Sequence, residues 1–263
     1  MTDKLHDFLC SRSVGRYGVC AYEDILPLID CGAANKLPEN PRSVLAFLFP
    51  YYTGEHEGRN VARYAAVPDY HRVAGDILAG ASALLAERTG AAFVPFVDNS
   101  PIRETEAARL AGLGDVGRNG LLISPVYGSY VFIGTIVTDL CMEPDTPGGS
   151  CPGCGACQES CPTAALKGSK LEPGLCRSHI TQKTGELTSW ESEQIRMGRL
   201  AWGCDICQDI CPLNQGTPTT PIPEFTACQE PVLTEGNLER LHPDMPYNYR
   251  KKSVLKRNLI ILK

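Results

Sequence analysis

Cys151, Cys154, Cys157 and Cys161, followed by Pro162, are spaced C-x2-C-x2-C-x3-C-P. This is the bacterial pattern for a cubane iron–sulfur cluster. Three closely spaced thiolates reach one cube from a single loop, and the cysteine before proline reaches across to a second cluster. A second motif is therefore required. The stretch GCDICQDICP supplies Cys204, Cys207 and Cys211 before Pro212, but lacks the first cysteine of the pattern; Cys176, in LCRSH, is the available substitute. The expected ligand sets are Cys151, Cys154, Cys157 and Cys211 for one [4Fe–4S] cluster and Cys161, Cys176, Cys204 and Cys207 for the other. Zinc is the competing occupant, but it favours isolated C-x2-C pairs and has no need of a crossed, proline-terminated arrangement. Two adjacent clusters carry single electrons, so the rest of the chain should hold what receives them.

The remaining cysteines, Cys10, Cys20, Cys31, Cys141 and Cys228, follow no metal spacing and read as small apolar residues. Thirteen cysteines in a chain without a secretory h-region point to metal or catalysis rather than disulfides. No apolar run is long enough to span a bilayer, so a soluble, cytoplasmic protein with no membrane partner is expected. The chain has 263 residues, 43% of them hydrophobic, enough for one large domain or two smaller ones. Net charge is −5, yet Asn237–Lys263 holds seven Lys/Arg against two Asp/Glu, a local +5 on a body of −10. That tail could touch phosphates or could be a solvated helix face.

The elements that must position the chemistry follow from periodicity. SVLAFLFPY (43–51) reads as a buried strand. Residues 69–90 read as a helix capped by Asp69, with Val73, Ile77, Leu78, Ala81, Leu84 and Leu85 on one face. Residues 91–98 form the next strand, SPIRETEAARLAGLG a helix ending at glycine, and residues 130–140 a third strand. Such alternation predicts a layered α/β or α+β domain. Residues 142–150 are a Pro/Gly linker, a Pro/Thr-rich stretch follows Pro212, and YRKKSVLKRNLIILK is helical with an apolar face. The resulting division is 1–140, then a ferredoxin-like dicluster domain over 141–217, then a C-terminal extension, 218–263.

Asp98 ends a strand before a proline-containing turn. It could project into a pocket as a general acid, or act as a helix cap. GLGDVGRNG lets backbone approach a ligand closely but does not fit a dinucleotide fingerprint. DYHRVAG nearly matches the D-x-H-x-x-G motif of proteins that ligate cobalt through histidine, with the glycine one residue late. His71 therefore reads as a capping or packing histidine.

Taken together, RYAAVPDYH, FVDNSPIRE, GLGDVGRNGLLI, the eight cysteines, GCDICQDICPLN and LKRNLIILK resemble the epoxyqueuosine reductase family from about residue 43 onward. The resemblance implies an α+β fold: an N-terminal mixed α/β cobalamin-binding domain with a reductive-dehalogenase-like core, then the dicluster domain. It implies base-off cobalamin between the two, reduced by the clusters, and reduction of the epoxide of epoxyqueuosine at a tRNA anticodon wobble position to an alkene. By motif position Asp98 would donate the proton to the departing oxygen. Tyr64, Tyr70 and His71 would lie near the corrin, and Ser178 and Asp205 would contact it. A low-dielectric pocket beside a flat corrin is expected to raise the Asp98 pKa. The implied partners are a tRNA anticodon stem-loop and a low-potential donor such as ferredoxin or flavodoxin, acting on a monomer.

The chain departs from the family at Thr105, where an arginine is usual, and at Asp115, where a tryptophan is usual. Full-length members continue into a C-terminal helical-repeat domain beyond the end of this sequence. Two other readings use the same residues: a cobalamin-dependent reductase of another small molecule or modified base, and a dicluster electron carrier without corrinoid.

Overall fold

A computed structural model describes residues 2–149, 151–168 and 170–263. Its centre is a four-stranded sheet. In chain order the first elements are α1 (Thr2–Ser11), β1 (Tyr17–Ala21), β2 (Ser43–Pro50), α2 (Tyr70–Thr89), β3 (Phe93–Val97), α3 (Glu104–Leu110), β4 (Asp115–Val116), β5 (Leu122–Ile123) and β6 (Val131–Thr138). The strand order is β1-β2-β6-β3, and all three pairings are antiparallel. This is the α+β alternative of the two that the sequence left open.

Every residue of β2 is buried, because the strand is covered on both faces. Leu45, Phe47 and Phe49 pack with Ile77, Leu78 and Ala81 of α2, while Val44, Ala46 and Leu48 pack with Ala107 and Ala108 of α3. Side chains that alternate along a strand thus feed two separate cores. The expected α2 forms with its expected signals. Asp69 accepts from the His71 N–H as N-cap, and Gly90 closes the helix at φ 71° in the left-handed region. The helix expected from Ser100 starts four residues late, at Glu104. Two segments the sequence did not mark as elements complete the domain: β1 forms the sheet's edge beside β2 and α1 packs on α2.

The cysteine-rich part contributes α4 (Ala156–Glu159), β7 (Leu166–Lys167), β8 (Lys170–Leu171), α5 (Arg177–Gln182), α6 (Ser189–Gly198) and α7 (Ile206–Asp209). The C-terminal part adds α8 (Pro223–Ala227), α9 (Glu235–Leu241) and α10 (Lys252–Ile261). Helix α10 does not leave its apolar face free. Val254, Leu255 and Leu259 join Trp202, Tyr247 and Ala65 in a third core, and buried Asn258 donates to the carbonyls of Thr181 and Ala201 at 2.7 and 2.8 Å. Four of the seven basic residues of the tail are paired within the molecule: Lys252 and Lys256 meet Glu239, Lys263 meets Glu235, and Arg240 meets Glu230. Among the described residues no helix is long and apolar enough to cross a membrane.

The cysteine loops are locked to the sheet domain by a polar seam. Arg59 pairs with Asp205 at 2.5 Å, and the Arg63 N–H donates to the same carboxylate oxygen at 3.0 Å. The Arg63 guanidinium reaches Asp209 and Glu55 and lies over the rings of Tyr52 and Tyr130. Asp205 is only 2% exposed, and removing one partner of a buried pair leaves an uncompensated charge. Arg59→Ala should therefore cost about 3–5 kcal/mol in anaerobic chemical denaturation, far more than the ~0–1 kcal/mol of an exposed pair.

Candidate functional site

The local chain shapes the first thiol set. Gly153 and Gly155, at φ 74° and 82°, turn the loop so that α4 begins just beyond Cys154. A Cβ at Gly153 would stand 3.1 Å from the Arg118 guanidinium, so this turn is also a close approach. The result is a small cavity ringed by Cys151, Cys154, Cys157 and Cys211, backed by Arg118, Asn119 and Ile123. Burial pushes the Cys157 thiol up, and the neighbouring Cys151, Cys211 and Cys154 add to it. Cys211 thus sits with the first motif although it lies in the second.

The other four thiols, Cys161, Cys176, Cys204 and Cys207, line a separate cavity of about 470 Å³. Burial, then Cys204 and, more weakly, Cys176, raise the Cys207 thiol to about 12. At Cys161 burial is outweighed by the Thr163 hydroxyl and by backbone N–H donors, including that of Ala165 at 3.3 Å, and the thiol is held below its usual value. None of the eight cysteines is in a disulfide. They ring spaces rather than converge on a point: among the described residues no three His, Cys, Asp or Glu side chains close around a single ion. Four thiols around each of two volumes, with the cysteines before Pro162 and Pro212 exchanged between them, is the donor set that two cubanes need.

The wall opposite the second thiol set is aromatic. Tyr51, Tyr64, Tyr70, Val131 and Phe132 face it from the sheet domain, and Tyr70 lies on Phe132 with ring centroids 4.0 Å apart and planes 9° apart. Ser178 and Gln182 of α5 close one side, joined by a 3.2 Å hydrogen bond. Tyr64 accepts from the Trp202 indole at 2.8 Å, which fixes its ring. Tyr64, Tyr70 and Gln182 also line a second space of about 450 Å³, together with His71, Asp98, Pro246 and Tyr249. The two spaces adjoin at Tyr64, Tyr70 and Gln182 and together make up the cleft, thiols lining one part and a carboxylate the other. Flat aromatic walls with a few polar groups at the rim fit a planar macrocycle such as a corrin.

Asp98 is placed by strain and by a turn. Its φ is 60°, unusual for a residue with a Cβ, and its N–H donates to Glu104 Oε1 at 3.1 Å. It does not cap α3, whose N-cap is Arg103. Its side chain is 67% exposed to the cleft, and Oδ2 lies 3.2 Å from His71 Nε2. The other imidazole nitrogen, Nδ1, is 2.7 Å from Asp69 Oδ1. The two aspartates raise the His71 pKa to about 9, Asp69 contributing most. His71 in turn holds the Asp98 carboxyl below its usual range, against the opposing effect of burial. The expectation of a raised Asp98 pKa is corrected here: an imidazolium 3.2 Å away outweighs the apolar walls. The carboxyl that is raised is Glu104, to about 8, by burial first and by the Asp98 charge second.

Of the residues singled out in the sequence, Asp98, Tyr64, Tyr70, His71 and Ser178 come together in this cleft. Asp205 does not. It lies beneath the Cys204–Cys207 loop, bound to Arg59, and is absent from the cleft wall. Glu104, Gln182 and Tyr249 were missed. Glu104 carried a local signal, six residues after Asp98 at the start of a helix; Gln182 and Tyr249 reach the site only through tertiary packing.

Known proteins fall in line with this geometry. Residues 150–214 match the family model described as "4Fe-4S double cluster binding domain", and residues 33–99 match "Epoxyqueuosine reductase QueG, DUF1730". The chain is 34% identical to the epoxyqueuosine reductase of Gloeobacter violaceus over 241 residues, covering 82% of this chain and 74% of that one. It is 33% identical to that of Listeria monocytogenes over 245 residues, covering 85% and 64%. Against three of the curated relatives it spans 61–65% of their length. An epoxyqueuosine reductase solved with an epoxyqueuosine-modified tRNA-Tyr stem loop superposes at TM-score 0.85 with 22% identity, covering 99% of this chain and 80% of that one. A catabolic reductive dehalogenase shares the fold at TM-score 0.52, with 19% identity over 95% of this chain and 34% of that one.

The crossed ligand sets make a direct prediction. Cys211→Ala should lower bound iron after anaerobic reconstitution from about eight to about four atoms per chain, and Cys176→Ala should do the same at the other cavity. If each variant instead kept about eight, the assignment of Cys211 and Cys176 would be wrong.

Proposed function

Because the chain belongs to the epoxyqueuosine reductase family, we propose that it reduces the epoxide of epoxyqueuosine in a tRNA anticodon stem-loop to the alkene of queuosine. The balanced reaction takes one epoxide, two electrons and two protons to one alkene and one water. The observation that carries this reading is the single cleft with thiols of a cluster site at one end and Asp98 at the other. An electron carrier has no use for a placed acid.

Residues 1–140 would carry the substrate and corrin wall, 141–217 the clusters, and 218–263 the closure over the core. Cobalamin, when bound base-off in the cleft, supplies a strongly reducing, nucleophilic cobalt. Tyr64, Tyr70 and Ser178 would hold the macrocycle, Tyr70 by its ring edge because Phe132 and His71 are stacked on its ring, and Ser178 through its hydroxyl. The aromatic walls would lower the polarity beside the macrocycle, which strengthens charge interactions there, while the Asp98 mouth stays open to solvent. Asp98, from the mouth, would deliver protons to that oxygen as it leaves. Electrons would enter one at a time from an external low-potential donor such as ferredoxin or flavodoxin, and the protein would act as a cytoplasmic monomer.

The test is anaerobic turnover of an epoxyqueuosine-modified stem-loop by the reconstituted protein, followed by nucleoside mass spectrometry. Wild type should yield queuosine. Asp98→Asn, which keeps the shape and removes the proton, should lower the rate about 10²–10⁴-fold while iron and corrin content stay unchanged. Equal rates for the two proteins would remove Asp98 from the chemistry.

A further inference from the structure

We propose that His71, held by Asp69, is the proton store that loads Asp98 and reloads it between the two protonations of one turnover. The inference rests on the reading of the site as an epoxide reductase and concerns a residue which that reading leaves as a neighbour of the corrin.

The stoichiometry sets the problem. Both protons end on one oxygen, which leaves as water, yet a single carboxyl holds one proton at most. The geometry makes the problem sharper, because Asp98 is ionised at rest beside His71. The proton needed by the leaving oxygen is therefore on the imidazole. Both ring nitrogens then donate: Nδ1 to Asp69 Oδ1 at 2.7 Å and Nε2 to Asp98 Oδ2 at 3.2 Å. Transfer from Nε2 protonates Asp98 Oδ2, and rotation of the carboxyl about its Cβ–Cγ bond lets that same oxygen pass the proton to the substrate. No charge is created in the cleft by that first shift, since an ion pair becomes a neutral pair. His71 keeps its Nδ1 proton, remains oriented, and takes a new Nε2 proton from water, to which its side chain is 37% exposed.

Asp69 is built for holding rather than for chemistry. It is anchored by Asn248 at 2.8 Å, accepts the His71 N–H as helix cap, and its side chain is 13% exposed. Tyr70 stacks on the imidazole at 4.1 Å between centroids, which fixes the plane of the ring. The charged and titratable groups around His71 are Asp69, Asp98, Tyr70 and Glu104, with Arg72 turned away to Asp244 at 3.3 Å and Tyr249 across the mouth. Glu104 is the one further carboxyl that holds a proton near neutral pH. Its contact is to the Asp98 N–H, so it supports the turn and lies off the relay. His71 acts on substrate only through Asp98, and is a positioning and proton-storing residue.

The sign of the pH dependence follows. The store is full below the His71 pKa of about 9 and empties as pH rises through it. Wild-type turnover should be flat across neutral pH and fall above about pH 9. His71→Gln can still hydrogen-bond to Asp98 but stores no proton. Its kcat at pH 7.5 should drop about 10–100-fold with KM within about two-fold, and its activity should decline from a much lower pH.

The second readout needs no turnover. In the reconstituted holoprotein with ¹³C-labelled histidine, the His71 resonance is identified by its loss in His71→Gln. It should titrate well above the ordinary histidine value of about 6.5, and its midpoint should fall by about one unit or more in both Asp98→Asn and Asp69→Asn. A His71 midpoint near 6.5, or one indifferent to Asp98→Asn, overturns the store. So does a His71→Gln enzyme with wild-type kcat and pH profile. If wild type fails to reduce the stem-loop while the midpoint is high and Asp98-sensitive, the store stands and the assigned substrate falls.

Discussion

The buried pairing of Arg59 with Asp205 is the contact on which the rest of the molecule depends. Asp205 lies between two cluster cysteines, Cys204 and Cys207, and Arg59 belongs to the segment leading out of the sheet. Around the pair, Ala62 donates to the Trp202 carbonyl, Ala201 to the Asn60 carbonyl, and Gln208 and Asn214 bind Ser129. These bonds fix the distance between the aromatic wall and the thiol wall. The width of the cleft is therefore set by polar contacts with defined lengths, and the apolar walls need not touch. A groove closed by hydrophobic contact alone would collapse on itself.

The cleft then separates two kinds of charge. Thiols line the inner end, and the Asp69–His71–Asp98 row stands at the mouth. Each end is shaped by its own backbone geometry: left-handed glycines and N–H donors at the cysteine loops, a strained φ of 60° and a helix cap at the acidic row. A reaction that joins two electrons and two protons at one oxygen needs both ends to converge on the space between. Tyr64, Tyr70 and Gln182 line that space from both sides.

What the sequence revealed was whatever is local. The cysteine spacing, the apolar run of β2 and the capped α2 are written in residues near one another, and each appears where periodicity and capping put it. The short β1 was not legible, since YGVCA becomes a strand only by pairing with β2. The late start of α3 follows from Pro101, which restricts Ser100, and from a turn that Ile102 and Ser100 close by their own hydrogen bond. The charge on Asp98 was misjudged for a tertiary reason: its controlling partner, His71, lies 27 residues away and was read as packing. Asp205 lies off the cleft wall, since adjacency to a ligand cysteine does not say on which side of the loop a side chain falls.

The central claim is that this cleft holds a corrin against the clusters. It is tested most directly by reconstituting the protein anaerobically with iron and sulfide, adding cobalamin, and recording the cobalt by electron paramagnetic resonance. The account predicts about eight irons per chain together with a base-off Co(II) signal. About eight irons with no bound corrinoid would contradict it and leave a dicluster electron carrier.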